Sequence, residues 1–109
     1  MAITTKLDGK VALVTGASSG IGRGVALALA ACGSHVFVNY PGPQEEHKAA
    51  EVLRTLRDSG GSGALVEGDV SDEAAVKGMF ERVLAHNGRL EILINNAGIA
   101  RSAPCLLYT

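Results

Sequence analysis

Val11-Ala12-Leu13-Val14 runs directly into Thr15-Gly16-Ala17-Ser18-Ser19-Gly20-Ile21-Gly22, and this junction limits what the chain can fold into more than any other stretch. A short, continuously apolar run rich in β-branched residues suits a strand covered on both faces, as in a parallel sheet. After the glycines, residues 21–31 are rich in Ala and Leu and stop near Gly33, which predicts a helix. Gly24 and Ala28 lie one turn apart on it and allow close packing against a sheet.

The pattern then repeats. Val36–Val38 reads as a second strand, and the prolines and glycine of residues 40–44 break it. Ala49, Val52, Leu53 and Leu56 recur at helical spacing within a helix over residues 44–58. Ser59 to Gly63 reads as a tight turn, and Ala64–Val66 as a third strand. Ser71 is placed to cap a third helix, with Asp72 and Glu73 in its first turn, where the helix dipole favours acid. Val76, Met79, Phe80, Val83 and Leu84 give that helix its apolar face, Asn87-Gly88 ends it, and Ile92–Ile94 is a fourth strand. Strict β-α-β-α-β-α-β alternation predicts a parallel sheet with right-handed crossovers. Residues 100–109 follow neither period and are expected to form an irregular tail.

A chain of 109 residues supports one domain at most. A net charge of −1 gives no electrostatic reason to expect a nucleic acid or an acidic membrane surface as partner. No apolar run approaches the roughly 20 residues of a membrane span, and the N-terminus lacks a secretory pattern. A cytoplasmic protein is expected. Two cysteines and three scattered histidines fit no metal spacing, so no metal site is expected.

Gly16, Gly20 and Gly22 occupy the first strand-to-helix turn. Glycines there let a ligand approach the backbone, and the helix N-terminus presents unpaired N–H groups and a partial positive charge suited to a pyrophosphate. Ser18 and Ser19 add hydroxyl donors. A plain glycine-rich turn is the alternative, but the position on the first βα turn of a βαβ unit favours a cofactor. No Gly-Lys-Ser/Thr follows, so the turn is not a P-loop.

"TGASSGIG" (15–22), "GDV" (68–70) and "NNAG" (95–98), in that order and on those elements, resemble the short-chain dehydrogenase/reductase family over residues 7 to about 100. The resemblance implies an α/β, Rossmann-like, doubly wound parallel sheet of strand order 3-2-1-4, truncated after the fourth strand. Residues 1–99 would form a dinucleotide-binding half-domain. Gly16, Ser18, Ser19, Ile21 and Gly22 would line the pyrophosphate and ribose, so a side chain at Gly16 or Gly22 would stand where phosphate must approach. Asp69 would accept a hydrogen bond from the adenine amino group and Val70 would meet the ring, unless Asp69 is only a polar strand end. Asn95, Asn96, Ala97 and Gly98 would sit beside the ribose and brace the central strands, or form a purely structural turn.

A carboxylate at the end of the second strand normally holds the ribose hydroxyls of NAD and repels the extra phosphate of NADP. Asn39 and Tyr40 stand there, with Glu45 and Glu46 read as too far along, so NADP(H) is favoured over NAD(H). Arg23 is a candidate for nearby positive charge, or a solvated helix residue.

In this family a Tyr and a Lys one turn later act as the acid–base pair, with the ammonium lowering the phenol's pKa. No Tyr-x-x-x-Lys occurs here: Tyr40 is followed by Gln44, and Tyr108 by Thr109 alone. The expectation is the cofactor-binding half of an oxidoreductase acting on a carbonyl or secondary alcohol, such as a 3-oxoacyl thioester or a sugar. As a 109-residue chain it would be without turnover. A frameshift, an alternative transcript end or an incomplete gene model would each give such a sequence. The edge of the fourth strand would be open, favouring association with itself or a full-length relative. A non-catalytic dinucleotide-binding or interaction module is the alternative from another class; a methyltransferase-like domain gives the Asn-Asn-Ala-Gly segment no place.

Overall fold

The four residues of β1 (Val11–Val14) are wholly buried, as a strand covered on both faces requires. The structure, a computed structural model, describes residues 7–97 and the backbone of 107–108. After β1 come α1 (Gly20–Ala31), β2 (His35–Tyr40), a 3-10 turn (Pro43–Glu45), α2 (Glu46–Asp58), β3 (Ser62–Glu67), α3 (Glu73–Asn87), β4 (Ile92–Ile94) and β5 (Leu107–Tyr108). The sheet order is β3-β2-β1-β4-β5, and the first four strands are mutually parallel. The expected 3-2-1-4 Rossmann-like arrangement is therefore present.

The pleat sends alternate residues of each strand to opposite faces. Ala12, Val14, Val36 and Val38 meet Ala26 and Ala30 of α1 and Ala49, Val52 and Leu56 of α2 on one side. Val11, Leu13, Phe37 and Val66 meet Met79 and Val83 of α3 on the other. The small residues of α1 seat it close to the sheet, whereas α2 contributes its longer apolar stripe.

Several local expectations are corrected. Asp72, not Ser71, caps α3: its carboxylate accepts from the N–H groups of Ala74 and Ala75. The Ser71 hydroxyl instead donates to Asp69 Oδ1. Ser62 and Gly63, read as turn, extend β3 by pairing with His35 and Val36. Leu84 is 43% exposed rather than part of the core. Leu107–Tyr108, within the tail expected to be irregular, pairs antiparallel with Leu93 and Ile94. The edge of β4 offers unpaired backbone groups, and these two residues take them up over that short length.

At the N-terminal end of β2, away from the glycine turn, the His35 and His86 rings stack with centroids 4.1 Å apart, and both meet Phe37 edge-on. Burial, then His86, then Arg57 lower the pKa of His35 below its ordinary 6.5. The unfolded chain therefore takes up this proton at a higher pH than the folded one. Stability contributed here is intact above about pH 6.5 and is lost as pH falls from there toward the lower folded value. Urea melts should give a lower midpoint at pH 5.5 than at 7.5. Replacing His35 with Asn should reduce that pH dependence; an unaltered dependence would assign it to other groups.

Candidate functional site

The glycine turn opens at the C-terminal ends of the parallel strands, where an open α/β sheet leaves a crevice at its topological switch point. A cleft of about 520 Å³ lies there. Gly16, Ser18, Ser19 and Ile21 form one wall; Asn39 and Pro41 stand at the end of β2; Gly68, Asp69 and Val70 follow β3; Asn96 and Ala97 follow β4. Three segments read separately from the sequence thus converge on one hollow.

Hydrogen bonds fix the turn. Gly16 has φ of +60°, a region that L side chains rarely adopt. Its N–H donates to Asn39 Oδ1 at 3.0 Å, and its carbonyl accepts from Asn96 Nδ2 at 3.0 Å. The Thr15 hydroxyl accepts from the N–H groups of Asn96 and Ala97 at 2.9 and 3.0 Å, tying the end of β4 to the end of β1. No side chain caps α1 at Ser19. The first-turn N–H groups, which have no partner within a helix, are left for a ligand, and the helix dipole adds partial positive charge.

Gly22 is not among the residues lining the cleft, and close packing gives a separate reason for its being glycine. A Cβ at Gly22 would press on the Gly16 carbonyl oxygen and lie 2.5 Å from Asn96 Nδ2. A Cβ at Gly16 would lie 3.0 Å from Ala97 Cα. Both glycines are therefore required by packing within the turn, before any phosphate is considered.

Asp69 is exposed at the cleft. Its carboxylate accepts from the Ser71 N–H at 2.9 Å and the Ser71 hydroxyl at 2.7 Å, and these bonds, the backbone one foremost, hold its pKa below the usual value. It stays ionised and acceptor-only near neutral pH, which suits a donor such as an amino group. Val70 beside it supplies an apolar wall.

Other expected site residues serve the cleft indirectly or lie outside it. Asn39 is 1% exposed, and its amide is committed to Gly16 and to the carbonyls of Val66 and Gly68. It braces the cleft rather than offering a free group to a ligand. The Tyr40 side chain belongs to the core beneath α1 and α2. Burial, then the carboxylates of Glu46 and Glu67, raise its pKa, the reverse of what an acid–base tyrosine needs. Asn95 lines a separate, smaller hollow with Thr15, Val70 and Leu93. Gly98 lies outside the described residues. Arg23, exposed on α1, does not line the cleft.

Sequence reasoning gave no individual role to Thr15 and placed Glu45 too far away. Glu45 lines the cleft, and its Oε1 accepts from Ser18 Oγ at 3.1 Å. The signal was the Pro-Gly-Pro of residues 41–43, which turns the chain back on itself. Among the described residues, no group of three or more potential ligands could hold a metal, and no helix is long and apolar enough to cross a membrane.

Fold, glycine turn and crevice together define an α/β domain of the dinucleotide-binding kind. Residues 10–109 match the family described as short chain dehydrogenase, and the chain belongs to that family. A 3-oxoacyl-acyl-carrier-protein reductase from Staphylococcus aureus is 46% identical over 92 residues, 84% of this chain and 37% of that protein. Versicolorin reductase from Emericella nidulans is 42% identical over 94 residues, 86% of this chain and 35% of that protein. The crystal structure of a gluconate 5-dehydrogenase from Burkholderia cenocepacia, in complex with NADP and tartrate, superposes with a TM-score of 0.75 at 39% identity, covering 92% of this chain and 38% of that one. An Escherichia coli hydroxysteroid dehydrogenase gives 0.78 at 31% identity, covering 86% and 39%. The chain spans little more than a third of the length of the curated relatives it matches.

Proposed function

We propose that the cleft binds a nicotinamide dinucleotide as the cofactor-binding portion of a reductase or dehydrogenase. The parent reaction is hydride transfer between the nicotinamide and a carbonyl or secondary alcohol, such as a 3-oxoacyl thioester or a sugar. One observation carries this reading: the uncapped start of α1, the Asp69-Val70 pair and the Asn96-Ala97 turn face a single crevice. The pyrophosphate lies on the α1 N-terminus, and the adenine lies toward Asp69 and Val70. NADP(H) is taken in preference to NAD(H), a reading supported by the lack of an acid at Asn39 or Tyr40 and by the NADP in the gluconate 5-dehydrogenase structure.

Titrating the purified 109-residue chain with NADPH, followed by cofactor fluorescence, tests the reading. Saturable binding is expected; no binding at millimolar cofactor by a folded chain contradicts it. Turnover is not expected, because the sequence holds no Tyr-x-x-x-Lys pair and the Tyr40 phenol is buried with a raised pKa. NADPH absorbance should stay constant with a panel of carbonyl substrates. Reproducible oxidation that disappears in Gly22→Val would refute the inactivity.

A further inference from the structure

The end of β2 is the corner of the cleft where an acidic residue ordinarily meets the ribose hydroxyls. In this chain β2 ends without an acid. Asn39 is buried and spends its amide on Gly16, Val66 and Gly68. A carboxylate reaches the cleft nevertheless. Pro41 and Pro43 turn the chain into the short 3-10 segment, which returns Glu45 to the cleft wall beside Ser18.

We infer that Glu45 is a specificity-determining residue, whose carboxylate disfavours a phosphate on the adenosine ribose and so narrows the preference for NADP(H) over NAD(H). The inference rests on the dinucleotide reading above. Its basis is the hydrogen-bonding inventory of this corner. Ser18 Oγ donates its one hydrogen to Glu45 Oε1 at 3.1 Å, which leaves both groups as acceptors toward a ligand. A ribose diol brings donors and fits them. An ionised phosphate brings acceptors and like charge, and is repelled. The ionisable residues lining the cleft are Glu45 and Asp69, both acidic. Lys48 Nζ is 3.9 Å from Glu45 Oε1, but Lys48 does not line the cleft. It offsets part of the Glu45 charge from behind without offering the ligand an ammonium.

The test measures Kd for NADPH and NADH by fluorescence with the whole chain and three variants. Glu45→Gln keeps an oxygen to accept from Ser18 and removes only the charge. It should shift the ratio of the two Kd values toward NADPH by roughly tenfold, the order expected for one partly screened unit charge. Glu45→Lys should shift it further in the same direction. Glu46→Gln removes the same charge from the neighbouring exposed position, outside the cleft wall, and should leave the ratio unchanged. Binding of both cofactors with the wild-type ratio in both Glu45 variants would overturn the inference while leaving the dinucleotide reading standing. An equal shift in Glu46→Gln would also overturn it, by assigning the effect to overall charge. Failure of the folded wild type to bind either cofactor would remove the dinucleotide reading and this inference together.

Discussion

Gly22→Val should leave the chain without measurable NADPH binding, and the cause should be collapse of the turn rather than simple occlusion. Gly22 is buried on the first turn of α1, with the Gly16 carbonyl and the Asn96 amide where its Cβ would go. Only backbone or the Asn96 amide can yield, and either movement breaks the Asn96 Nδ2 to Gly16 carbonyl bond. Overpacking of this kind costs about 1–3 kcal/mol, and the displaced turn no longer aims the α1 N–H groups at the crevice. Gly16→Val should act similarly, because φ is +60° there and Ala97 is in contact. Both variants should lose binding in the fluorescence titration and melt at lower temperature. Wild-type binding by Gly22→Val would mean that the turn tolerates a side chain and that its close packing has been misplaced.

Asn39→Leu is expected to destabilise the fold by about 2–4 kcal/mol. The side chain is 1% exposed and serves three backbone groups: it accepts from the Gly16 N–H and donates to the carbonyls of Val66 and Gly68. Leucine fills much the same space but leaves those groups inside the protein without partners, at the meeting of the glycine turn with the ends of β2 and β3. Domain stability is typically about 5–15 kcal/mol, so the loss should be plain in urea or thermal melts. Binding should weaken as well, since Gly16 loses an anchor. Asn39→Asp is informative beside it: the carboxylate can still accept from Gly16 but opposes two carbonyls with negative charge, so it too should destabilise. A melt for Asn39→Leu indistinguishable from wild type would show that this amide does not hold the cleft together.

The parts of the fold that local pattern determines were legible in the sequence. The buried run of β1, the alanine-rich α1, the apolar stripe of α2 and the alternation of strand and helix each show in short windows. The parallel order follows from that alternation and the family resemblance. The glycine turn could be picked out from its place on the first βα turn, whereas Asp69, Val70, Asn96 and Ala97 were marked only by the resemblance of their motifs to a known family. What could not be seen depends on partners distant in sequence. Nothing local shows that Asn39 faces inward to Gly16 and Gly68, or that Tyr40 turns into the core. Glu45 was excluded by counting residues, and the Pro-Gly-Pro turn makes that count misleading. Ser71 and Asp72 are both good caps by type, and the bonds made by Asp69 decide between them: Ser71 is engaged there and Asp72 is left to cap α3. The pairing of Leu107–Tyr108 depends on the edge of β4, again far away in the chain.

Backbone amide shifts in ¹⁵N-labelled protein, recorded during titration with NADPH, test the central claim most directly. The cleft reading predicts saturable shifts for Gly16 to Gly22, for Asp69 and Val70, and for Asn96 and Ala97, with His35 and His86 at the far end of the sheet little affected. Saturable shifts centred on His35 and His86, or none at all in a folded chain, would contradict it.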